Sequence, residues 1–185
     1  MNGTVSTAEL LEKVKALVRP ERWAHIQRVA ALAREIAEKN GLDGERAYLA
    51  GILHDAARDL PLEELARLAP PENEVEEAHP LSLHGRAARR LAEVWGVGDL
   101  EVLEAVEGHV YGVDPRNGLG MALYIADVSE PGRGVNGEIR ELALSGNLLE
   151  AYRLAVRNKV EYLKGKGIPV HPRTLAVYQS LLHAS

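Results

Sequence analysis

The sequence contains no cysteine. Disulfides, thiolate zinc sites and a cysteine nucleophile are therefore excluded, and any bound metal ion must be held by histidine, aspartate or glutamate. Long apolar runs are absent as well, since none approaches the roughly 18–20 residues that a membrane-spanning helix requires. The first residues also lack the basic start and apolar stretch of a secretory signal. We therefore expect a cytoplasmic protein that does not contact a membrane.

Positive charge and aromatic side chains are both scarce. The formal net charge is −5, aromatic residues make up 4% of the chain, and no run of basic residues occurs. A nucleic-acid-binding protein needs a positive face to neutralise phosphates, so we do not expect one here. A small phosphorylated substrate stays compatible with this charge, because a bound cation can reverse the local sign of the potential.

The alternating pattern of β-strands is missing. Apolar residues instead recur with a period near 3.6, and a content of 46% hydrophobic and 26% charged residues is ordinary for a globular protein. A chain of 185 residues suits one domain. The sequence therefore predicts an all-α fold of about nine or ten helices in one compact domain over residues 1–185, with a first helix inside residues 1–19.

Helix limits follow from start and stop signals. A long helix is predicted from Pro20 to the Asn40-Gly41 stop, another from Ala47 to about Asp59, and a later one from about Met121 to Val128. The acidic run EVEE at 74–77 and the stretch SEPGRGVNG at 129–137 are predicted to be loops.

Polar side chains interrupt the apolar faces of five predicted helices: His25, the pair His54-Asp55, His84, His109 and Asp127. Taken singly, each is better explained as a buried residue bonded to a backbone group. Five helices that each direct a histidine or aspartate inward are harder to explain in that way. Imidazole and carboxylate are ligands that iron and manganese accept. Together these residues favour a metal site.

Small residues precede the His54-Asp55 pair by one and two helical turns, at Ala47, Ala50 and Gly51. Small side chains allow close approach of a second helix. They also leave room beside an imidazole that points inward, so we expect this helix to pack closely against a neighbour.

The order of these residues resembles that of the HD-domain phosphohydrolases, which are helical proteins named for an adjacent His-Asp pair. It is most similar to their YqeK branch, which hydrolyses diadenosine tetraphosphate symmetrically to two ADP. The resemblance extends from about residue 20 to 182, and its most specific parts are the motif YIADVSEPGR (124–133) and the tail pattern P-x-T-x-x-x-Y (172–178). Other matching stretches are RWAHIQRVAALA (22–33), LAGILHDAARDL (49–60), LHG (83–85) and EAVEGH (104–109).

The resemblance implies a metal-dependent hydrolase with His25, His54, Asp55 and Asp127 as metal ligands. It implies iron as the metal, as one or two ions, with manganese, cobalt, nickel or magnesium as substitutes. Asp55 and Asp127 would also orient the attacking water. Arg58, which stands where the branch usually has lysine, would assist catalysis by binding phosphate.

The same resemblance places His84, His109 and Arg133 against the substrate phosphates. The two histidines would instead hold a second ion if the site follows the two-metal enzymes of the class, and both alternatives stay open. Thr174 and Tyr178, one helical turn apart, would contact a base or ribose. Packing of the last helix explains those two residues equally well.

Several functions are compatible with this pattern. The substrate would be a small adenine dinucleotide with ADP as product, and a homodimer is left open. A different HD-class phosphatase, acting on nucleoside diphosphates or deoxynucleotides, is an alternative within the same chemistry. A non-catalytic nucleotide-binding protein of the same fold is an alternative of another kind. A site that has lost its catalytic activity would not need the full set of ligand-type residues, which argues against this alternative.

Overall fold

The computed structural model describes residues 5–183. Within this range all regular elements are helical, which confirms the all-α prediction. The α-helices are α1 (Thr7–Leu17), α2 (Pro20–Lys39), α3 (Gly44–Leu53), α4 (Leu62–Leu68), α5 (Glu74–Ala78), α6 (His84–Val94), α7 (Leu100–Gly108), α8 (Gly118–Ser129), α9 (Gly137–Leu144), α10 (Leu148–Gly165) and α11 (Pro172–Leu182), with short 3-10 helices at Pro80–Leu83 and Pro131–Arg133. None of the helices in this range has the length and apolarity needed to cross a bilayer.

Helix α8 lies at the centre of the fold. It packs against α2, α3, α7, α9 and α10, and nine of its twelve residues are buried. This position explains why MALYIA is apolar on every side, since a helix surrounded by others has no face left for solvent. Because α8 is central, a polar side chain near its C-terminal end can meet residues from several neighbouring helices.

Three helices that lead to the polar residues begin with the same kind of cap. Asp43, Asp99 and Asn117 precede α3, α7 and α8, and each side chain accepts a hydrogen bond from a backbone N–H of the first turn. Such caps satisfy donors that the helix itself cannot use, and each is worth about 1 kcal/mol. The caps fix where each helix starts, and thereby which residue lies at its far end.

The helix predicted to reach about Asp59 ends earlier, at Leu53. Beyond it the backbone continues in tight turns, in which the N–H groups of Ala56 and Arg58 donate to the carbonyls of Leu53 and Asp55 three residues back. This difference matters for the site, because neighbouring residues on a regular α-helix do not face the same direction. The early end of α3 allows His54 and Asp55 to point into one place.

The acidic run predicted to be a solvated loop is helical and partly buried. Glu76, on α5, is almost completely inaccessible to solvent, and its carboxylate accepts hydrogen bonds from Arg86 (3.0 Å) and from His171 (2.7 Å). A buried carboxylate with cationic or N–H partners is stable where a solitary one is not. These partners lie ten and 95 residues away, so charge patterning alone could not predict them. Helix α9 was also missed.

Close packing of α2 against α3 depends on Gly51. A Cβ atom at this position would lie 2.5 Å from Ala30 Cα and 3.0 Å from Ala30 Cβ. The prediction that the small residues before His54 serve a close helix approach is therefore confirmed. The same contact sets the distance between His54, which follows α3, and the residues of α2.

Replacing Gly51 with alanine is expected to lower the free energy of unfolding by about 1–3 kcal/mol, because the backbones of α2 and α3 must separate to admit a methyl group. Gly165→Ala is the matched control, since Gly165 is also helical but has no atom within 4 Å of an added Cβ. Thermal unfolding followed by circular dichroism measures both. Equal midpoints for the two variants would contradict the close contact.

Candidate metal centre and active site

Six polar side chains from five places in the chain converge between α2, α3, α6, α7 and α8. We refer to them as the His/Asp cluster: His25, His54, Asp55, His84, His109 and Asp127. His25 and Asp127 lie within α2 and α8, His84 is the first residue of α6, and the others directly follow α3 and α7. The structure thus brings together all the histidines and aspartates that the sequence pattern singled out.

The two carboxylates of the His/Asp cluster lie between the imidazoles. Asp127 Oδ1 is 3.1 Å from His25 Nε2 and 3.6 Å from His54 Nε2. Asp55 Oδ2 is 3.5 Å from His54 Nε2, and its other oxygen is 3.4 Å from His84 Nε2 and 3.3 Å from His109 Nε2. Three groups of residues could each hold a metal ion, because the ligand-type atoms inside each group lie within 4.8 Å of one another. The groups are His25, His54 and Asp55; His54, His109 and Asp127; and Asp55, His84 and His109.

Three of the imidazoles are oriented by one repeated device. The Nδ1 atoms of His54, His84 and His109 lie 2.6, 2.8 and 2.7 Å from the carbonyl oxygens of the residues three positions earlier. Each histidine follows the last residue of a helical segment, where carbonyls lack partners within the helix. A carbonyl can only accept, so each Nδ1 must donate. The Nε2 atom of the neutral ring is left with its lone pair directed at the cluster.

The lone pairs that this device directs inward fit a metal ion. His54 Nε2 is buried and has no hydrogen-bond partner within residues 5–183. The Nε2 atoms of His84 and His109 lie 3.1 Å apart, and two lone pairs at that distance repel each other unless a cation or a proton is shared. A set of neutral imidazoles and ionised carboxylates is the donor set that first-row divalent cations accept. The His/Asp cluster can therefore hold a divalent metal.

Electrostatics in the cluster favour ionised carboxylates. Burial by itself raises the pKa of Asp55 and of Asp127, but the neighbouring imidazoles outweigh it and hold both values well below their usual range. Burial alone would lower the pKa of His54, yet the two carboxylates raise it to about 9. The pKa of His109 is lowered by burial and by the charges of His54 and His84. Without metal, a proton therefore occupies His54, while His109 stays neutral.

His25 is oriented by a residue to which the sequence interpretation gave no role. Its Nδ1 atom lies 3.5 Å from Glu130 Oε1, and Glu130 is only 1% exposed. The Glu130 carboxylate accepts hydrogen bonds from Arg28 Nε (2.5 Å) and from the Gly132 N–H (3.0 Å). Carboxylates that hold the far nitrogen of a metal ligand fix its ring orientation. The feature of the sequence that could have indicated this role is the EPGR motif, in which Glu130 is the glutamate.

The two predicted arginines differ in their contacts with the carboxylates. Arg133 donates from Nη2 to Asp127 Oδ1 (3.1 Å) and from Nε to the Asp127 carbonyl oxygen. Arg58 lies one turn after Asp55 and is half-buried, and its backbone N–H donates to the Asp55 carbonyl. A third arginine, Arg22, was not predicted, although its Nη1 atom lies 3.9 Å from Asp55 Oδ2.

A cavity of about 820 Å³ opens beside the His/Asp cluster. Its inner end is lined by His84, His109 and Asp127, and its walls include Arg133 and Lys159. The volume lies within the range of about 300–1,000 Å³ that is typical of small-molecule sites. The cavity combines ligand-type residues at one end with cationic side chains along its wall, which suits a phosphorylated molecule.

Thr174 and Tyr178 lie outside both the His/Asp cluster and the cavity wall. Thr174 is buried, and its hydroxyl donates to the carbonyl oxygen of Tyr111 at 2.7 Å. Tyr178 is half-buried against the core. Both residues hold α11 in place, and a direct contact with a nucleotide stays a prediction.

The comparisons with known proteins agree with this geometry. Residues 22–132 match the HD domain family. A symmetrical bis(5'-nucleosyl)-tetraphosphatase of Bacillus subtilis is 31% identical over 96% of this chain and 98% of its own length. A crystal structure of a predicted HD superfamily hydrolase involved in NAD metabolism, from Clostridium acetobutylicum, superposes with a TM-score of 0.89 at 29% identity, covering 97% of this chain and 98% of the other.

A longer relative from Mycoplasma genitalium is named a probable nicotinate-nucleotide adenylyltransferase/Ap4A hydrolase. It is 32% identical over 80% of this chain, which spans 45% of that relative's length. The family match covers more than half of the sequence and includes His25, the His54-Asp55 pair and Asp127. This chain belongs to the HD domain family.

Proposed function

We propose that this protein is a metal-dependent hydrolase that cleaves diadenosine tetraphosphate symmetrically to two ADP. Relatives that match it over nearly their whole length are named symmetrical bis(5'-nucleosyl)-tetraphosphatases. The single structural observation that carries the proposal is the His/Asp cluster, in which Nε2 lone pairs point inward. The cluster lies beside a cavity that is also lined by cationic side chains. The single-domain limits 1–185, the cytoplasmic location and a homodimer stay predictions.

For the first cation we propose the ligands His25, His54, Asp55 and Asp127, with iron as the metal. Two imidazoles and two carboxylates without thiolate suit iron, and manganese or cobalt would be accepted by the same donors. The contact between His25 and Glu130 supports this assignment, because a carboxylate beside the far nitrogen of a metal-binding histidine fixes the orientation of its ring.

For His84 and His109 we propose a second cation, shared with Asp55, rather than direct binding of phosphate. Both Nδ1 atoms already donate to carbonyls, so each ring in its neutral form offers only an acceptor to the site. A phosphate oxygen is also an acceptor and cannot form a hydrogen bond with a neutral ring of this tautomer. The lowered pKa of His109 disfavours the protonated ring that would be needed.

Bound cations would withdraw charge from the non-bridging oxygens and lower the pKa of an attacking water. The carboxylates of Asp55 and Asp127 have pKa values too low for them to keep a proton, so they act by holding position and by accepting a hydrogen bond from that water. Arg133 is partly exposed and has further N–H donors for a phosphate oxygen in the cavity. We propose Arg58, three residues after Asp55, as a further cation that binds phosphate.

The reaction consumes one water molecule. A bond forms between the water oxygen and one of the two central phosphorus atoms, and the bridging P–O bond in the middle of the tetraphosphate breaks. Its electron pair leaves with the second ADP, and two protons are released near neutral pH, because the two ADP products together carry two more ionised oxygens than diadenosine tetraphosphate. Because ADP is a stable anion, its departure does not require a protonated side chain, which agrees with a site whose carboxylates are ionised.

Substrate identity is tested by incubating the metal-loaded protein with diadenosine tetraphosphate, ATP, ADP and dATP and separating the products. We expect ADP as the sole product of the first compound and slower turnover of the others. AMP together with ATP from diadenosine tetraphosphate would contradict symmetrical cleavage. Faster turnover of ADP or dATP would favour the alternative of a different nucleotide phosphatase.

Metal content tests the two ligand sets. We expect about two cobalt ions per wild-type chain, about one in His84→Gln, and a loss of both metal and turnover, by more than about 100-fold, in His54→Gln. Elemental analysis and product formation measure the two quantities. His183→Gln is the matched control, because His183 is exposed at the end of α11 and far from the cluster in the fold. Full turnover of His54→Gln without metal would end the proposal.

Metal affinity is expected to increase with pH. In the metal-free protein the pKa of His54 is about 9, so at pH 7 a cation must displace a proton from Nε2. Affinity should therefore rise about tenfold per pH unit from 7 to 9 and level off above the pKa. Asp55 and Asp127 add no dependence in this range, since they are already ionised. Titration with cobalt at several pH values measures the slope, and a flat profile would contradict the coupling between proton and metal.

A further inference from the structure

Exposed apolar side chains line part of the cavity beside the His/Asp cluster. Tyr162 on α10 and Val135 in the loop before α9 both line the cavity, and they are 61% and 57% exposed. A single exposed apolar side chain needs no explanation. Here two large ones flank the mouth of one cavity whose other end is the His/Asp cluster, so the apolar surface and the reactive end belong to one continuous space.

Positive charge also lines this cavity. Lys159 precedes Tyr162 by three residues on α10, so both side chains lie on the same side of the helix. Lys159 and Arg133 line the same cavity. Burial of the ammonium and the nearby Arg133 lower the pKa of Lys159, while Asp127 opposes them. Two cations that face one space would be stabilised together by an anion between them.

The lining of one cavity therefore combines ligand-type residues, two cations and an aromatic ring. A nucleoside diphosphate carries the complementary groups, which are two phosphates, a sugar and a flat base. Lys166 Nζ lies over the Tyr162 ring, 5.9 Å from its centroid, and Tyr162 is 61% exposed, so part of the ring is accessible for stacking. Aromatic rings that stack on bases usually contribute affinity without strong preference for one base.

We propose that this cavity binds one nucleoside diphosphate half of the substrate, with the base stacked on Tyr162 against Val135 and the phosphates held by Lys159 together with Arg133. This inference rests on the proposed function, which it deepens by assigning a binding surface to the nucleoside end of the substrate. Tyr162 and Lys159 are binding residues in this view and do not touch the bond that breaks.

The proposal is tested by binding rather than by turnover. Calorimetry with the metal-loaded full-length protein compares two ligands, ADP and inorganic diphosphate, which differ by the nucleoside. Tyr162→Ala should weaken ADP binding about tenfold and leave diphosphate binding unchanged, because only the base is lost from the contact. Tyr162→Phe should bind ADP within about twofold of wild type, since the stacking surface is kept.

Lys159→Gln should weaken binding of both ligands, because both carry the phosphates. Lys164→Gln is the matched control, as it removes the same charge from the same helix at an exposed position outside the cavity wall, and it should change neither affinity. Equal losses for ADP and diphosphate in Tyr162→Ala, or no loss, would overturn the base contact. Unchanged diphosphate binding in Lys159→Gln would overturn the phosphate contact.

Failure of this inference can be told apart from failure of the proposed function. If wild type converts diadenosine tetraphosphate to ADP while Tyr162→Ala binds ADP normally, only the cavity assignment is wrong. If wild type shows no hydrolysis but the variants follow the expected pattern, the cavity stands as a nucleoside diphosphate site and the proposed reaction falls. A wild-type protein that does not bind ADP overturns the assignment directly.

Discussion

Three histidines at the ends of helical segments donate from Nδ1 to the carbonyl oxygen three residues earlier, and the rest of the site depends on this contact. It satisfies a carbonyl that the helix leaves without a partner, and at the same time it fixes the ring and its tautomer. The free lone pair then points away from the helix end. Helices α3 and α7 and the 3-10 helix before α6 end close to one another. The Nε2 lone pairs of the three histidines therefore converge.

The packing of the core serves the same convergence. Gly51 allows α3 to approach Ala30 of α2, which brings His54 to His25, and Gly51 also supplies the carbonyl that His54 requires. Asp127 reaches the cluster because α8 is surrounded by other helices. A buried carboxylate at this position would be costly if unpaired, but three partners, His25, His54 and Arg133, compensate for it. The fold therefore stabilises a buried group of charged side chains that can bind a cation.

The electrostatic pattern also divides the site into regions with different tasks. Carboxylates with a depressed pKa lie at the inner end of the cavity, cations lie along its wall, and Tyr162 with Val135 lies at its mouth. An acidic protein with a net charge of −5 can attract a polyphosphate only if positive charge is concentrated locally, and this cavity provides such a place. In the function that we propose, substrate recognition and bond cleavage depend on different side chains of one continuous space.

The amino-acid sequence by itself determined the helical class, the chemical types in the site and the identity of the six residues in the His/Asp cluster. It could do so because helical periodicity is local, and because a polar residue on an apolar face is conspicuous wherever it occurs. The close helix packing at Gly51 and the small residues around it could be predicted for the same reason. The helical structure of the acidic run at 74–77 and of α9 could not, since the burial of these segments depends on partners far along the chain.

Only the tertiary structure decided how those residues are arranged. The support of His25 by Glu130 and the separation of Thr174 from the cavity depend on contacts between segments up to about a hundred residues apart. The tautomers of His84 and His109 follow from which carbonyl each ring meets. A linear pattern records which groups are available, whereas their directions in space, and therefore what they can bind, follow from how the helices pack.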